Sequence, residues 1–208
     1  MNVDFWNEKF TQTPGLYGEE PNRFLKIQLQ SLSPGYLLLP GEGEGRNALF
    51  AASKGWKVLA LDQSPIAKKH TLEKARKNGL DIEYQVCDIE KFIHEGTKFD
   101  VIALIYFHLP SSIRAQIHAR FEAMIKENGL LIIEGFGKNQ LKFSSGGPKN
   151  TEMLYAIKEI KSDFPGITWE YEFEGNDILN EGIGHSGEAD LVRLVGRKLS
   201  DYLIKISN

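Results

Sequence analysis

The sequence predicts an α/β fold, a three-layer Rossmann-like sheet with helices on both faces, from three observations. Strand and helix patterns alternate between residues 36 and 134, as they do where parallel strands are joined by crossover helices. One junction, Tyr36-Leu37-Leu38-Leu39-Pro40-Gly41-Glu42-Gly43-Glu44-Gly45-Arg46-Asn47, drives an apolar run into three glycines at alternate positions before Ala48-Leu49-Phe50-Ala51-Ala52. That is the order of a buried parallel strand, a tight turn and a helix packed on the sheet. The last two strand patterns have only a glycine-rich bend between them and read as an antiparallel pair.

The chain reads as one domain, with an N-terminal segment over residues 1–30 and an α/β core over residues 31–208. Trp6 and Phe10 lie four apart and can staple a helix to the core. Phe24, Ile27 and Leu29 predict a short amphipathic helix from Pro21 to Gln30, which Ser31-Leu32-Ser33-Pro34-Gly35 ends. After the glycine turn a helix runs over 47–53 and stops at Lys54-Gly55. Val58-Leu59-Ala60-Leu61-Asp62 is a second strand ending in a carboxylate. Ser64-Pro65 starts a helix over 66–78 with a basic open face, and Gly79 stops it.

A third strand over 82–86 closes on Cys87-Asp88-Ile89, and a fourth, the most apolar stretch at 99–106, closes on Tyr106-Phe107-His108-Leu109-Pro110. Ile113, Ile117, Phe121 and Met124 form one stripe of a helix expected over 111–128, with Gly129 as its cap. Leu130-Leu131-Ile132-Ile133-Glu134 is the fifth strand. Residues 135–150, rich in glycine, lysine and serine, read as a long loop, with 137–150 either a lid or disordered. Met153, Leu154, Ile157 and Ile160 predict a helix over 151–163. Strands over 168–173 and 190–196 flank the bend that carries His185.

Composition narrows the classes of function. With 208 residues, 41% hydrophobic and 25% charged, the chain can bury a substantial core. A net charge of -3 leaves no basic footprint for nucleic acid and favours a small-molecule partner. A single cysteine, Cys87, excludes an internal disulfide and fits a reducing compartment. No apolar run reaches the roughly 20 residues of a membrane span, and the N-terminus does not have the pattern of a signal peptide. A cytoplasmic location is expected.

The glycine turn discriminates between nucleotides. A dinucleotide fingerprint needs its third glycine three positions after the second, where Arg46 stands here. Glu42 and Glu44 put two carboxylates inside the turn. A pyrophosphate would meet like charge there, whereas a ligand bearing an ammonium and a sulfonium would not. The turn therefore points away from NAD and a nicotinamide-dependent oxidoreductase, one alternative reading, and towards S-adenosylmethionine; the other alternative is a cofactor-binding protein without turnover. Asp62, 21 residues after Gly41, sits where an acid at the second strand tip accepts hydrogen bonds from both ribose hydroxyls, with Gln63 beside it. A helix N-cap is the other reading of Asp62.

Leu37 to Asn47 resembles motif I of the class I S-adenosylmethionine-dependent methyltransferases, and its Gly-Glu-Gly-Arg-Asn ending is similar to the tellurite-resistance and thiopurine methyltransferase-like branch. The resemblance implies a seven-stranded sheet with a reversed last strand and methyl transfer to a small acceptor such as a thiol or chalcogen anion. It implies that Asp88 meets the adenine amino group, that the Ile89 backbone meets the ring, and that an N-terminal aromatic segment including Tyr17 caps the site. Gly41 and Gly43 let the methionine half approach the backbone. The acid usually found two positions before the first glycine is Leu39 here, which leaves Glu42 to meet the methionine ammonium. Arg46 has two readings, a partner for the methionine carboxylate or an anchor for Glu44. The Glu-Gly…His-x-Gly pattern around Glu181 and His185 also recurs in that branch.

The fourth strand's end is where such a sheet presents its chemistry. Tyr106 is expected to shelter the cofactor. His108 is either a base that orients the acceptor or a loop-pinning hydrogen-bond partner, and His185 either faces the acceptor or pins its own bend.

Overall fold

The structure, a computed structural model, describes residues 3–199. Its centre is a seven-stranded sheet of β1 (Tyr36–Pro40), β2 (Lys57–Asp62), β3 (Glu83–Val86), β4 (Phe99–Ile105), β5 (Ile125–Phe136), β6 (Ile167–Asn180) and β7 (Ser186–Lys198). The order across the sheet is β3-β2-β1-β4-β5-β7-β6. β1 to β5 pair in parallel, and β7 runs antiparallel to both of its neighbours, so the reversed strand is present. Between β3 and β4 the chain crosses from one side of β1 to the other. The resulting crevice lies beyond the carboxyl ends of β1, β2 and β4, where open α/β sheets bind ligands.

Both faces are covered, which is why β1 is buried at every position rather than alternating. On one face Leu37, Leu39, Val101 and Ile132 pack with Leu25 and Leu29 of α2 (Arg23–Gln30), Ala48 and Ala51 of α3 (Arg46–Ser53), and Ala75 of α4 (Pro65–Lys77). On the other, Leu38, Ile102 and Leu131 pack with Ile117 and Phe121 of α5 (Ser111–Met124) and Ile160 of α6 (Ile157–Ser162). An N-terminal helix, α1 (Val3–Gln12), contacts α4 at the crevice. Trp6 and Phe10 stack on it with centroids 5.6 Å apart.

The last two strands are longer than expected, Ile167–Asn180 and Ser186–Lys198, and three further predicted elements differ in kind or extent. α5 ends at Met124, not at 128, because Ile125 turns extended and pairs with Phe99, and Asn128 takes φ +62 before the strand settles. The helix expected over 151–163 is broken. Leu154 and Tyr155 are extended and fully buried, the Tyr155 N–H donates to Phe136 O at 2.8 Å, and they separate a 3₁₀ turn at Thr151–Met153 from an α-helix at Ile157–Ser162. Of the segment expected as a loop over 135–150, Gly135 and Phe136 belong to β5, Gln140–Lys142 forms a 3₁₀ turn, and the rest packs on the fold. Gln140 is buried and donates to Ser145 Oγ at 3.0 Å and Gly146 O at 3.1 Å, while its own oxygen accepts from the Asp190 N–H at 2.9 Å.

Candidate active site

The glycine turn leaves β1 with φ of +66 at Gly41, +60 at Gly43 and +82 at Gly45. Two of these positions also exclude a side chain sterically. A Cβ at Gly41 would lie 2.6 Å from the Phe107 ring, and one at Gly45 would lie 2.3 Å from Thr71. Gly45 can offer no side-chain cap to α3, and Glu42 supplies it instead. Its Oε1 accepts from the Ala48 N–H at 2.7 Å and its Oε2 from Asn47 Nδ2 at 3.3 Å. Burial nevertheless raises its pKa to about 7, against the pull of those bonds and of Arg46. Leu39 is buried in the apolar layer under α2 and α3, so the strand itself brings no carboxylate to this point.

Glu44 and Arg46 go to different partners. Glu44 accepts from the Gly15 N–H at 2.8 Å and faces His70 Nδ1 at 2.8 Å, which ties the N-terminal segment to α4. Arg46 instead pairs with Glu181 at 2.7 Å, so the anchoring of Glu44 expected as one of its two readings does not occur. The guanidinium has a second nitrogen, Nη1, that is buried without a hydrogen-bond partner.

At the second strand tip Asp62 accepts from the Gly43 N–H at 3.0 Å and the Ser64 N–H at 2.9 Å. Ser64, not Asp62, is the N-cap of α4, through a 3.1 Å bond from the Ala67 N–H to its Oγ. Asp62 is thus held by the turn, with a pKa raised by burial. Asp88, at the end of β3, is half-exposed and accepts from the Glu90 N–H at 3.1 Å in a turn that carries Ile89. Cys87 is half-buried between them, and its thiol is pushed up to about 11 by burial and by the Asp62 and Asp88 charges, which leaves it unreactive as a nucleophile near neutral pH.

The far end of the crevice is aromatic. Tyr106 leaves β4 at φ +51, a strained conformation for a non-glycine residue. Its hydroxyl is buried without a hydrogen-bond partner, and burial, then the Glu134 and Glu181 charges, raise its pKa well above the ordinary value. His185 lies between two tyrosines, with its ring centroid 4.4 Å from Tyr17 and 4.2 Å from Tyr106. Burial and Arg46 lower its pKa to about 3, and its Nδ1 has no partner. Tyr17 is itself raised to about 12 by burial.

His108 is committed to the backbone at both nitrogens. Nδ1 donates to Met153 O at 2.8 Å, Nε2 accepts from the Phe136 N–H at 3.1 Å, and burial holds the pKa at about 4. Of its two readings the geometry is that of the loop pin, since no nitrogen is left to take a proton from an acceptor. His185 is the imidazole with a nitrogen to spare.

One cavity of about 1250 Å³ is lined by Tyr17, Gly41, Glu42, Gly43, Arg46, Asp62, Gln63, Asp88, Ile89, Tyr106, His108 and His185 together. Its size exceeds the usual range for a single small ligand, roughly 300–1,000 Å³, and leaves room for two side by side.

Several supporting residues escaped the sequence reading. The Tyr84 hydroxyl donates to Gly43 O at 2.6 Å from the middle of β3. Asn22 caps α2 through the Leu25 N–H at 2.8 Å and donates to Glu134 Oε1 at 2.6 Å and Glu181 Oε1 at 3.0 Å. Arg193 of β7 holds the other oxygen of Glu134. Only the Asn22 cap, ahead of an apolar-periodic helix, had a local signal. The other contacts join residues more than 40 positions apart.

Comparison with known proteins agrees with this geometry. Residues 38–129 match the family described as methyltransferase domain. TehB from Haemophilus influenzae superposes with a TM-score of 0.72 at 19% identity, over 93% of this chain and 67% of that one. The N-methyltransferase NodS from Bradyrhizobium japonicum, in complex with S-adenosyl-L-homocysteine, gives 0.72 at 14% identity, over 96% of this chain and all (100%) of that one. A structure from work on converting a disulfide bond into a thioacetal group during echinomycin biosynthesis gives 0.77 at 15% identity, over 99% of this chain and 96% of that one. A curated relative, Hemagglutinin 1 of Eikenella corrodens, is 28% identical over 110 residues, 52% of this chain. The chain spans little more than a third (37%) of that relative's length. No helix among the described residues is long and apolar enough to cross a membrane. With the glycine turn, the strand-tip acids and the reversed β7 in place, residues 38–129 match a methyltransferase domain, and the whole sheet has the fold of the solved structures named above.

Proposed function

We propose that this chain transfers the methyl group of S-adenosylmethionine to a small-molecule acceptor. The observation that carries the reading is the pairing of opposite charges across one cavity. Asp62 presents a buried carboxylate at the β2 tip, and Arg46, lining the same cavity, has an unpartnered Nη1. A nucleoside with a charged amino-acid tail is complementary to that spacing of acceptor and donor.

In this reading Asp62, with Gln63, holds the ribose hydroxyls, and Asp88 and the Ile89 backbone hold adenine. Gly41 and Gly43 admit the methionine half, Arg46 Nη1 meets its carboxylate, and Glu42 lies under its ammonium. Glu42 has lone pairs beyond the two that α3 uses, because an ionised carboxylate offers about four acceptor sites. Tyr17 and Tyr106 keep water from the reacting end. When bound, S-adenosylmethionine supplies an electrophilic methyl on a positive sulfur, so the protein's task is to align the acceptor in a dry pocket, which contributes several kcal/mol.

The acceptor we propose is a soft nucleophile, a thiol or chalcogen anion. His108 has both nitrogens engaged, and His185, held at about 3, is too weak a base to draw a proton from a phenol or an amine. A nucleophile that arrives already ionised asks for no base. His185 then acts as a hydrogen-bond partner for the acceptor.

Calorimetry with S-adenosylhomocysteine tests the cofactor half: binding is expected in the wild type and a loss of about 100-fold in Asp62→Ala, since hydrogen bonds to a charged group contribute ~1.5–3 kcal/mol each. Undiminished binding in the variant overturns it. Production of S-adenosylhomocysteine across thiols, selenide, phenols and amines tests the acceptor half, and turnover confined to phenols or amines would sink the soft-nucleophile assignment.

A further inference from the structure

Arg120 is on α5, away from the residues assigned to the cofactor, yet both terminal nitrogens of its guanidinium go to one short turn, while Nε is buried without a partner. Nη1 donates to Glu90 O at 2.9 Å and Phe92 O at 3.3 Å, and Nη2 donates to Ile89 O at 3.3 Å. That turn begins at Asp88. We propose that Arg120 is a positioning residue that clamps the 88–92 turn and so sets the selectivity of the site for the adenine base. The proposal rests on the assignment of Asp88 and Ile89 to adenine.

The turn needs such a clamp. It follows β3, a four-residue strand at the edge of the sheet. Beyond it, residues 93–98 form no helix or strand, and Ile93 is 74% exposed. Within the turn, the Lys91 N–H donates to Asp88 O at 2.9 Å and the Phe92 N–H to Ile89 O at 3.3 Å, contacts too local to fix where the turn sits against the sheet. Three anchors tie it to the core, the buried Phe92 side chain, the partly buried Ile89 side chain and the Arg120 fork, and only the last holds the backbone carbonyls. A planar guanidinium can satisfy three carbonyls of one bend at once, which an ammonium cannot do with the same geometry.

Discrimination of adenine from hypoxanthine depends on where the Asp88 carboxylate lies, because the 6-amino group donates to it and a 6-oxo group cannot. A turn free to drift loses that distinction before it loses the ribose and methionine contacts, which sit on other strands.

The test compares binding of S-adenosylhomocysteine and S-inosylhomocysteine to the wild type, Arg120→Ala and Arg120→Gln, with amide exchange across 88–92 and unfolding curves on each. The wild type is expected to prefer the adenine ligand by tenfold or more. Arg120→Ala should weaken S-adenosylhomocysteine about tenfold, bring the preference to within threefold, raise the KM for S-adenosylmethionine and leave kcat within twofold. Arg120→Gln should show the same trend and serves if the alanine variant does not fold. Wild-type affinity and preference in either folded variant overturns the clamp, as does a loss of kcat with KM unchanged. A wild type that binds S-adenosylhomocysteine without preferring adenine, yet weakens on loss of Arg120, removes the role of Asp88 and leaves the clamp standing.

Discussion

Arg46 and Glu181, 135 positions apart in the chain, form a 2.7 Å ion pair in which each side chain is only 10% exposed. Glu181 is held in turn by Asn22 Nδ2 at 3.0 Å, and Asn22 also reaches Glu134, which Arg193 grips from β7. The β6–β7 turn, the start of α2 and the glycine turn are thereby locked to one another. The pair fixes one end of the guanidinium of a residue that lines the cavity and leaves Nη1 without a partner.

Removing the charge at Glu181 should therefore be felt by ligands that carry a carboxylate and not by those that lack one. Glu181→Gln is expected to weaken S-adenosylhomocysteine about tenfold, ~1.4 kcal/mol, and to leave 5′-methylthioadenosine, which has no amino-acid tail, within twofold. Titration calorimetry on both ligands measures it. Equal losses for the two would show that the pair supports the fold and not the orientation of Arg46.

Glu42 makes a prediction on the alkaline side. Its pKa is about 7 in the fold against an ordinary value of 4.5. The folded state holds the proton more tightly, so stability from this group is full below about pH 4.5 and is lost as pH rises through 7. The loss is on the order of 3 kcal/mol. Glu42→Gln keeps an oxygen for the Ala48 N–H without the ionisation. Urea unfolding should find it more stable than the wild type at about pH 8, by ~2 kcal/mol after some loss of charge-assisted bonding. The two should be nearly equal at about pH 4.5. If the carboxylate also meets the cofactor ammonium, wild-type binding tightens through pH 7 and the variant's does not.

Much of this fold could be read from the chain because it rests on local signals. The buried run Leu37–Leu39, the glycines at alternate positions and the Ser64-Pro65 helix start all lie next to what they specify. The strand tips could be read for the same reason, since an acid at the end of a parallel strand has nowhere to go but the crevice. Partners were another matter. Arg46 was legible as a cation in the turn, but its choice of Glu181 over nearby Glu44 depends on how the β6–β7 turn packs against Gly18, where a Cβ would lie 3.1 Å from the Gly182 nitrogen. The helical period at 153, 154, 157 and 160 misled because Leu154 and Tyr155 are buried by an extended segment bonded to Phe136, and apolar spacing alone does not distinguish the two.

The buried imidazoles make the opposite pH prediction. His185, at about 3, and His108, at about 4, both lie below the ordinary 6.5. Each is neutral in the fold and protonated when unfolded in acid, so its contribution is full above about 6.5 and is lost as pH falls towards the folded value. The slope is ~1.4 kcal/mol per pH unit for each group. His185→Phe preserves the ring between Tyr17 and Tyr106 and should flatten the fall in urea midpoint between pH 6.5 and 4. A variant with the wild-type slope would mean that His185 is not buried neutral.

Gly45 gives a purely steric prediction. Its φ of +82 is costly for alanine, and the added Cβ would lie 2.3 Å from Thr71 Cγ2 and 2.6 Å from Thr71 Oγ1. Gly45→Ala should lose ~1–2 kcal/mol to the backbone and a further ~1–3 kcal/mol to overpacking between α3 and α4. Adding Thr71→Ala should recover part of the second loss and none of the first, because the backbone angle is unchanged. A thermal melt of the two variants and the double mutant measures the split. If the double mutant regained the full wild-type stability, the strain would lie in packing alone and the left-handed turn would tolerate a side chain.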